Sequence, residues 1–330
     1  MINKNFFKNK NILVAGSSGF IGTHLTKKLN ELEANVFGSY LKNIPNEKYS
    51  KVSYIKSDFT NYEDCLKATK NIDYVFMLAA NTSGAAVIEK TPLAHLTPNV
   101  IMNSQILAAA YQNNISKFCF ISSNTVYPVT DFPVKEEDVN YSFFSKYFIV
   151  GWMKLFSEKM SQMYAKQIKN PMKTIVVRPG NLYGPNDKFT WKESKVIAAM
   201  IRKSIERHDP FLVWGDGNDI KDFLYIDDFI SGLLKSFEIS TNYEEINIAS
   251  GIPVRLNEVL NLILQEDNNL SAKIEYDNSM PTMIPKRLIN IDKIRRICGW
   301  EPQISLRQGL KLTIDWYREF YQDITPEKKK

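Results

Sequence analysis

Ile12-Leu13-Val14-Ala15-Gly16-Ser17-Ser18-Gly19-Phe20-Ile21-Gly22 is the stretch on which the fold turns. A short apolar run ends at a glycine, glycines return at Gly19 and Gly22, and Phe20 to Leu29 then carries the 3.6-residue spacing of a helix. Strand, glycine turn and helix in direct succession build a phosphate cradle. Gly16 permits the tight turn, Gly19 lets the backbone approach a pyrophosphate, and Gly22 lets the helix lie close to the sheet, while the helix N-terminus attracts the phosphate charge. Glycines alone would be a weak signal, but at the head of an alternating β/α chain they point to a dinucleotide site rather than a structural turn.

Outward from this stretch, apolar β-rich runs at Asn11–Ala15, Asn35–Gly38, Val52–Lys56, Tyr74–Ala79, Phe118–Ser122 and Thr174–Val177 alternate with helical patterns at Phe20–Leu29, Tyr62–Thr69, Asn99–Gln112 and Tyr147–Ile168. Such alternation predicts an α/β fold, a Rossmann-type doubly wound parallel sheet wrapped by helices. After Arg178-Pro179-Gly180 the segments become shorter and richer in loops. We expect a dinucleotide-binding domain over 1–178 and a smaller C-terminal α/β lobe over 179–330 that supplies the substrate side of a cleft. No Gly/Ser or Pro-rich linker separates them, so the two should interleave. The helix starting near Tyr147 is apolar on more than one face, with Phe148, Ile149, Val150, Trp152, Met153, Leu155 and Phe156 in close succession. Its far face is expected to pack on a second copy, in a homodimer or homotetramer.

The 330 residues are 44% hydrophobic and 24% charged, an ordinary globular balance. The formal charge of +6 is modest. Much of it lies at the chain ends, and no basic stripe interleaves with aromatics, which argues against nucleic acid. Cys65, Cys119 and Cys298 show no metal-ligand spacing, so no metal site is expected and a reducing compartment is implied. The first ten residues form no apolar signal and no run is long enough to span a membrane, which makes a cytoplasmic protein without a membrane partner the expectation.

The GxxGxxG spacing resembles the short-chain dehydrogenase/reductase superfamily, and further segments resemble its extended branch of NAD-dependent epimerases and dehydratases. The resemblance implies that Gly16, Ser18, Gly19, Phe20, Ile21 and Gly22 hold the cofactor. Asp58 and Phe59 would lie near the adenine, with Leu78-Ala79-Ala80 beneath the cofactor and Asn99 on the helix that follows. Where the second strand should end in an acid that grips the ribose hydroxyls of NAD stands Tyr40, and neither that acid nor an arginine for a 2′-phosphate is present. NAD is favoured and NADP stays open.

Ile121-Ser122-Ser123-Asn124-Thr125-Val126-Tyr127 resembles the family's Ser-Ser-x-x-Val-Tyr segment, which makes Ser123 the hydroxyl that holds the reacting sugar oxygen. The family's working pair is Tyr-x-x-x-Lys, one helical turn apart, so that the ammonium lowers the phenol's pKa. Lys154, with Glu158 one turn later, matches the lysine and also the cofactor-binding position. The tyrosine position holds Val150, and no Tyr-x-x-x-Lys occurs anywhere in the chain. Tyr147, seven residues before Lys154 on a similar face, is either a replacement or a packed aromatic.

Pro179-Gly180-Asn181-Leu182-Tyr183-Gly184-Pro185-Asn186-Asp187-Lys188-Phe189, Ser194-Lys195-Val196-Ile197 and Val213-Trp214-Gly215 resemble the GDP-fucose synthase group. That likeness implies a nucleoside-diphosphate sugar, a GDP-sugar first, bound near Asn181, Val196 and Thr125. Lys221 and Arg287 would straddle its diphosphate. The group's acid/base cysteine and histidine correspond to Thr125 and Lys195, which argues against 3,5-epimerisation, and Asn124-Thr125 cannot serve as the Asp-Glu pair of a 4,6-dehydratase. What remains is hydride transfer at carbon 4 of a GDP-hexose or GDP-heptose, as a 4-dehydrogenase or 4-keto reductase. Ser123 and Lys154 would orient the reaction, with Tyr147, Lys195 or water carrying the proton. A 4-epimerase is the alternative; a non-catalytic dinucleotide-binding scaffold is the reading from a different class.

Overall fold

In the first strand, Ile12 and Val14 point to one side and Leu13 and Ala15 to the other, and all four are fully buried. A strand apolar on both faces needs cover on both, which a parallel sheet flanked by helices provides. The computed structural model has this architecture. It describes the chain except residues 46–48, 50, 82–90, 92, 192, 281–282 and 322–330, and the side chains of 94 and 321.

The strands are β1 (Asn11–Ala15), β2 (Asn35–Tyr40), β3 (Val52–Lys56), β4 (Tyr74–Met77), β5 (Lys117–Ile121), β6 (Lys173–Pro179), β7 (Asn181–Tyr183), β8 (Phe211–Trp214), β9 (Ile220–Tyr225), β10 (Tyr243–Ile248), β11 (Pro253–Arg255) and β12 (Ile274–Asp277). The helices are α1 (Lys4–Phe7), α2 (Phe20–Glu31), α3 (Tyr62–Thr69), α4 (Leu93–Gln112), α5 (Phe148–Lys166), α6 (Val196–Ile205), α7 (Ile226–Phe237), α8 (Leu256–Glu266), α9 (Asp292–Cys298) and α10 (Leu306–Trp316). Seven strands form one parallel sheet in the order β10-β6-β5-β4-β1-β2-β3. The order reverses between β1 and β4, and ligands of doubly wound sheets bind outside the strand C-termini at that switch point.

Two cores cover the sheet. Ile12, Val14, Phe76, Cys119 and Ile175 pack with Leu25 and Leu29 of α2 and with Phe229, Leu233 and Phe237 of α7. On the other face Leu13, Val75, Phe118 and Val176 meet Cys65 and Ala68 of α3 and Ile106, Leu107 and Ala110 of α4. β10 lies well beyond residue 178 in sequence yet pairs with β6 from Tyr243↔Thr174 to Ile248↔Pro179, so the later part of the chain returns to finish the sheet. The remaining strands form a three-stranded sheet, β11-β9-β7, and a two-stranded one, β12-β8.

Local differences from the sequence reading have simple causes. β2 runs to Tyr40 because Ser39 and Tyr40 pair with Ile55 and Lys56 of β3. α4 begins at Leu93 rather than Asn99: Pro98 marks a helix start from sequence alone, but here it sits inside the helix. No helix among the described residues is long and apolar enough to cross a membrane.

Candidate active site

The glycine turn sits at the switch point, and the space around each glycine explains it. Gly16 has φ +90, and a Cβ there would come within 2.9 Å of the Ala79 backbone, so this turn and the end of β4 are in contact. Gly22 lies in the first turn of α2, where a Cβ would meet the Gly16 carbonyl oxygen at 2.2 Å. Ser39, which sequence reading did not single out, pins the loop. Its hydroxyl accepts from Gly16 N at 2.9 Å, and its carbonyl accepts from both Ser17 N and Ser17 Oγ at 2.9 Å. Gly19 caps α2 without any side-chain hydrogen bond, and the first turn holds no acidic residue. No carboxylate in its first turn offsets the positive end of α2, which lies beside a cradle that a side chain would fill, and these residues fit a dinucleotide pyrophosphate.

Of the other expected cofactor positions, Tyr40 ends β2 and is half-buried, and Leu78 N donates to the Ala15 carbonyl at 3.0 Å, which sets Leu78-Ala79-Ala80 beside the glycine turn. Asp58 closes a turn by accepting from Thr60 N and Thr60 Oγ1 at 2.9 and 2.7 Å. Phe59 is a core side chain, so this turn shapes its end of the cleft through its backbone. Asn99 Oδ1 accepts from Asn81 N at 2.8 Å and ties α4 to the chain after β4.

β5 delivers the reactive groups. Beyond Ile121, Ser123 Oγ accepts from Thr125 N at 3.2 Å and from Thr125 Oγ1 at 3.0 Å. With its lone pairs engaged, the Ser123 hydroxyl is left to donate its own proton. Lys154, on α5, donates to the Ile121 carbonyl at 2.8 Å and lies 5.0 Å over the Phe120 ring. Burial lowers its pKa to about 8 against the opposing pull of Glu158. Val150 is half-buried on the same helix, and Gly151 beside it allows the helix to press on the serine turn, since a Cβ there would lie 2.9 Å from the Thr125 carbonyl. Tyr147 caps α5, its pKa raised to about 12 by burial and drawn back by the Arg287 charge.

Lys195 precedes α6 and is exposed, its ammonium 6.0 Å from the centre of the Phe20 ring and within the field of buried Asp187. It therefore faces the cofactor loop. Asn181 Nδ2 donates to the Asp222 carbonyl at 2.9 Å, and Val196 opens α6, half-buried. Lys221 donates to Asp219 at 2.9 Å and to the Ile284 carbonyl, and its pKa is lowered by burial and by Arg287 nearby. Arg287 is 2% exposed and donates to the Pro128 and Tyr127 carbonyls at 2.7 and 3.2 Å, while its buried Nε has no partner among the described residues. Burial lowers it to about 10. The two expected phosphate-side cations thus share one field, and one of them also braces the segment after Ser123.

Two further features escaped sequence reading. Glu158 and Arg178 form a buried pair, described below. His24, on α2, places Nδ1 3.0 Å from Asp227 Oδ1 and Nε2 2.9 Å from the Pro185 carbonyl, which joins the cofactor helix to α7 and to the loop after β7. Its only sequence signal was a polar side chain two residues past the last glycine. Cys65, Cys119 and Cys298 are free thiols with raised pKa values, chiefly from burial, and no metal-ligating group occurs among the described residues.

A phosphate cradle at the switch point of a parallel sheet, with a donor hydroxyl and a lysine at the end of the next strand but one, defines a dinucleotide-dependent enzyme. The chain belongs to the NAD dependent epimerase/dehydratase family, whose profile matches residues 12–249, and its cofactor is NAD. It is 27% identical to a putative GDP-L-fucose synthase 2 of Arabidopsis thaliana, covering 94% of this chain and 93% of that one. Identity to a GDP-mannose 3,5-epimerase 1 of Oryza sativa subsp. indica is 30%, over 93% and 82% of the two chains. Among solved structures, an epimerase of Methanothermobacter thermautotrophicus superposes with a TM-score of 0.86 at 26% identity, covering 97% and 96%. A UDP-glucose 4-epimerase of Thermotoga maritima, solved with UDP-glucose, gives 0.84 at 25% identity over 94% and 99%.

Proposed function

We propose that the protein is a 4-dehydrogenase or 4-keto reductase of a nucleoside-diphosphate sugar, with a GDP-hexose or GDP-heptose as the leading substrate. The observation that carries this reading is the meeting of Ser123 and Lys154 at the end of β5, two strands along the sheet from the strand that carries the glycine cradle, with Val150 where a catalytic tyrosine would stand. NAD supplies the acceptor or donor of hydride. The chain's own residues do the rest. The free Ser123 proton holds the reacting sugar oxygen, and Lys154, titrating at about 8, is the cation at the cofactor end. Tyr147 at about 12 stays protonated at neutral pH and so acts as a donor, which suits ketone reduction. In the oxidising direction water takes the proton, while the Lys195 ammonium, like Tyr147, serves as a donor in reduction. Lys221 and Arg287 supply the positive field for the diphosphate, near Asn181, Val196 and Thr125.

Similarity to GDP-L-fucose synthase and GDP-mannose 3,5-epimerase supports a GDP-sugar. Thr125 at the acid/base cysteine position argues against inversion at carbons 3 and 5. We take residues 1–178, completed by β10, as the dinucleotide domain and the rest of 179–330 as the substrate lobe. The outer face of α4 and α5 fits a second copy of the chain. Phe148, Trp152, Phe156 and Met163 are exposed along α5, Leu93 and Ile101 along α4, and α4 has no Asp, Glu, Lys or Arg in its 20 residues. Incubation with NAD, or reduced NAD, and a panel of GDP-, UDP- and dTDP-sugars tests the activity. Oxidation or reduction of one GDP-sugar by two mass units is expected; inversion without net cofactor change would favour a 4-epimerase, and no change with any sugar would end the proposal.

A further inference from the structure

Behind the serine turn lies a buried charge pair that the proposed chemistry does not use. Glu158 is 1% exposed, one helical turn beyond Lys154, and faces Arg178 of β6, itself 2% exposed. Arg178 Nε and Nη2 donate to the two Glu158 carboxylate oxygens at 3.0 and 2.7 Å. Oε1 also accepts from the Ser122 hydroxyl. Ser122 in turn stands between Ile121, whose carbonyl holds Lys154, and Ser123. The far side of the pair is equally fixed. Arg178 Nη1 donates to the Tyr127 hydroxyl at 3.0 Å and the Glu136 carbonyl at 2.8 Å, and the Tyr127 hydroxyl donates to Asn247 Oδ1 at 2.6 Å.

We propose that Glu158 is a positioning residue: through Ser122 its carboxylate sets the strand end that bears Ser123, and it places a fixed negative charge one helical turn from Lys154. The surrounding groups leave that task to it. α4, packed along α5, carries no Asp, Glu, Lys or Arg, and its His95 is turned to the Asn81 carbonyl at 3.1 Å. From the sheet come the Phe120 ring on Lys154, and Arg178 and Tyr243 on Glu158, the Tyr243 hydroxyl donating to the Glu158 carbonyl at 3.4 Å. Glu136 spends Oε1 on Asn247 N at 2.8 Å. Burial pushes Lys154 toward its neutral form, and Glu158 is the charge that opposes this. Arg178 holds the carboxylate in place through two hydrogen bonds.

The inference rests on Lys154 being the cofactor-side lysine of the proposed reaction, but its test reads the lysine directly. Protein with 13Cε-labelled lysine is titrated by NMR, and the Lys154 signal is assigned by its absence in Lys154→Arg. In Glu158→Gln the Lys154 midpoint should fall by roughly one pH unit, the effect of losing an opposite charge one helical turn away. Glu158→Asp, which keeps the charge on a shorter stem, should restore most of the midpoint yet lower kcat about tenfold or more, because the bond to Ser122 is stretched. Removing one partner of a buried pair endangers the fold. Glu158→Gln with Arg178→Met removes both charges, and the Lys154 midpoint should fall there as well. A midpoint unchanged in both neutral variants overturns the proposal. Absence of turnover in the wild type, with the midpoint still falling, would instead count against the proposed function alone.

Discussion

Gly22→Ala and Gly19→Ala add the same methyl three residues apart, and the structure assigns them opposite failures. At Gly22 the new Cβ lies 2.2 Å from the Gly16 carbonyl oxygen and 2.7 Å from Ser17 Cα, where ordinary contact begins at 3.4 Å. The obstacle is backbone that Ser39 holds from two sides, so no side chain can swing away. α2 must retreat from β1 by more than an ångström. Overpacking of this kind costs about 1–3 kcal/mol. For 330 residues that lowers the thermal midpoint by roughly 1.5–4 °C. At Gly19 the Cβ meets only the Gly16 oxygen at 3.3 Å, and the residue has φ −82, which alanine adopts freely. The midpoint should stay within about 1 °C. Its methyl does stand at the uncapped end of α2, however, where the pyrophosphate must come close. Its NAD dissociation constant should rise about 10- to 100-fold, or roughly 1.4–2.8 kcal/mol. Differential scanning fluorimetry and calorimetric NAD titration read the two effects separately. Wild-type NAD affinity in Gly19→Ala, or an unshifted midpoint in Gly22→Ala, would refute the assignment of this turn.

Three other perturbations follow from the site. Lys154→Met should abolish turnover while gaining stability relative to wild type at pH 7. The lysine's folded value of about 8 lies below its unfolded 10.5, so the wild type bears the cost of a charged buried lysine below pH 8 and sheds it as the pH climbs to 10.5. The difference in thermal midpoint between variant and wild type should therefore shrink over that window. Tyr147→Phe should lower the rate of ketone reduction about 100-fold if the phenol donates the proton, and Lys195→Ala should do so if the ammonium does; single-turnover rates of the two variants decide between them. If copies of the chain pair through α5, where both rings are exposed, Trp152→Glu combined with Phe148→Glu should leave the monomer folded and lower the mass read by light scattering from that of a dimer or tetramer. An unchanged mass would move the interface elsewhere.

How far the sequence could be read depended on whether a feature is local. The run from Ile12 to Gly22 states strand, turn and helix within eleven consecutive residues, and each glycine's reason is a contact inside that run or with its neighbour strand. The spacing from Val150 to Lys154 likewise marks both the lysine and the missing tyrosine. Features made by packing were not legible. Ser39 clamps the glycine turn from the end of another strand, and β10 pairs with β6 across 69 positions of sequence, from Tyr243↔Thr174 to Ile248↔Pro179. Glu158 was visible as a residue one turn after Lys154, but its meeting with Arg178 requires α5 to lie across β6. Arg287 was read as a phosphate-side cation, and its bonds to the Tyr127 and Pro128 carbonyls add a brace that sequence has no way to announce. The helix expected from Asn99 begins at Leu93 instead, with Pro98 inside it.

The central claim is that this chain moves a hydride from or to carbon 4 of a nucleotide sugar although Val150 replaces the tyrosine. The direct measurement is mass spectrometry of the nicotinamide cofactor after incubation of the protein and NAD with GDP-sugars deuterated at carbon 4. We expect deuterium on the cofactor and a sugar product oxidised at that carbon. Cofactor free of deuterium with every such sugar tried, from protein that binds NAD, would contradict the account.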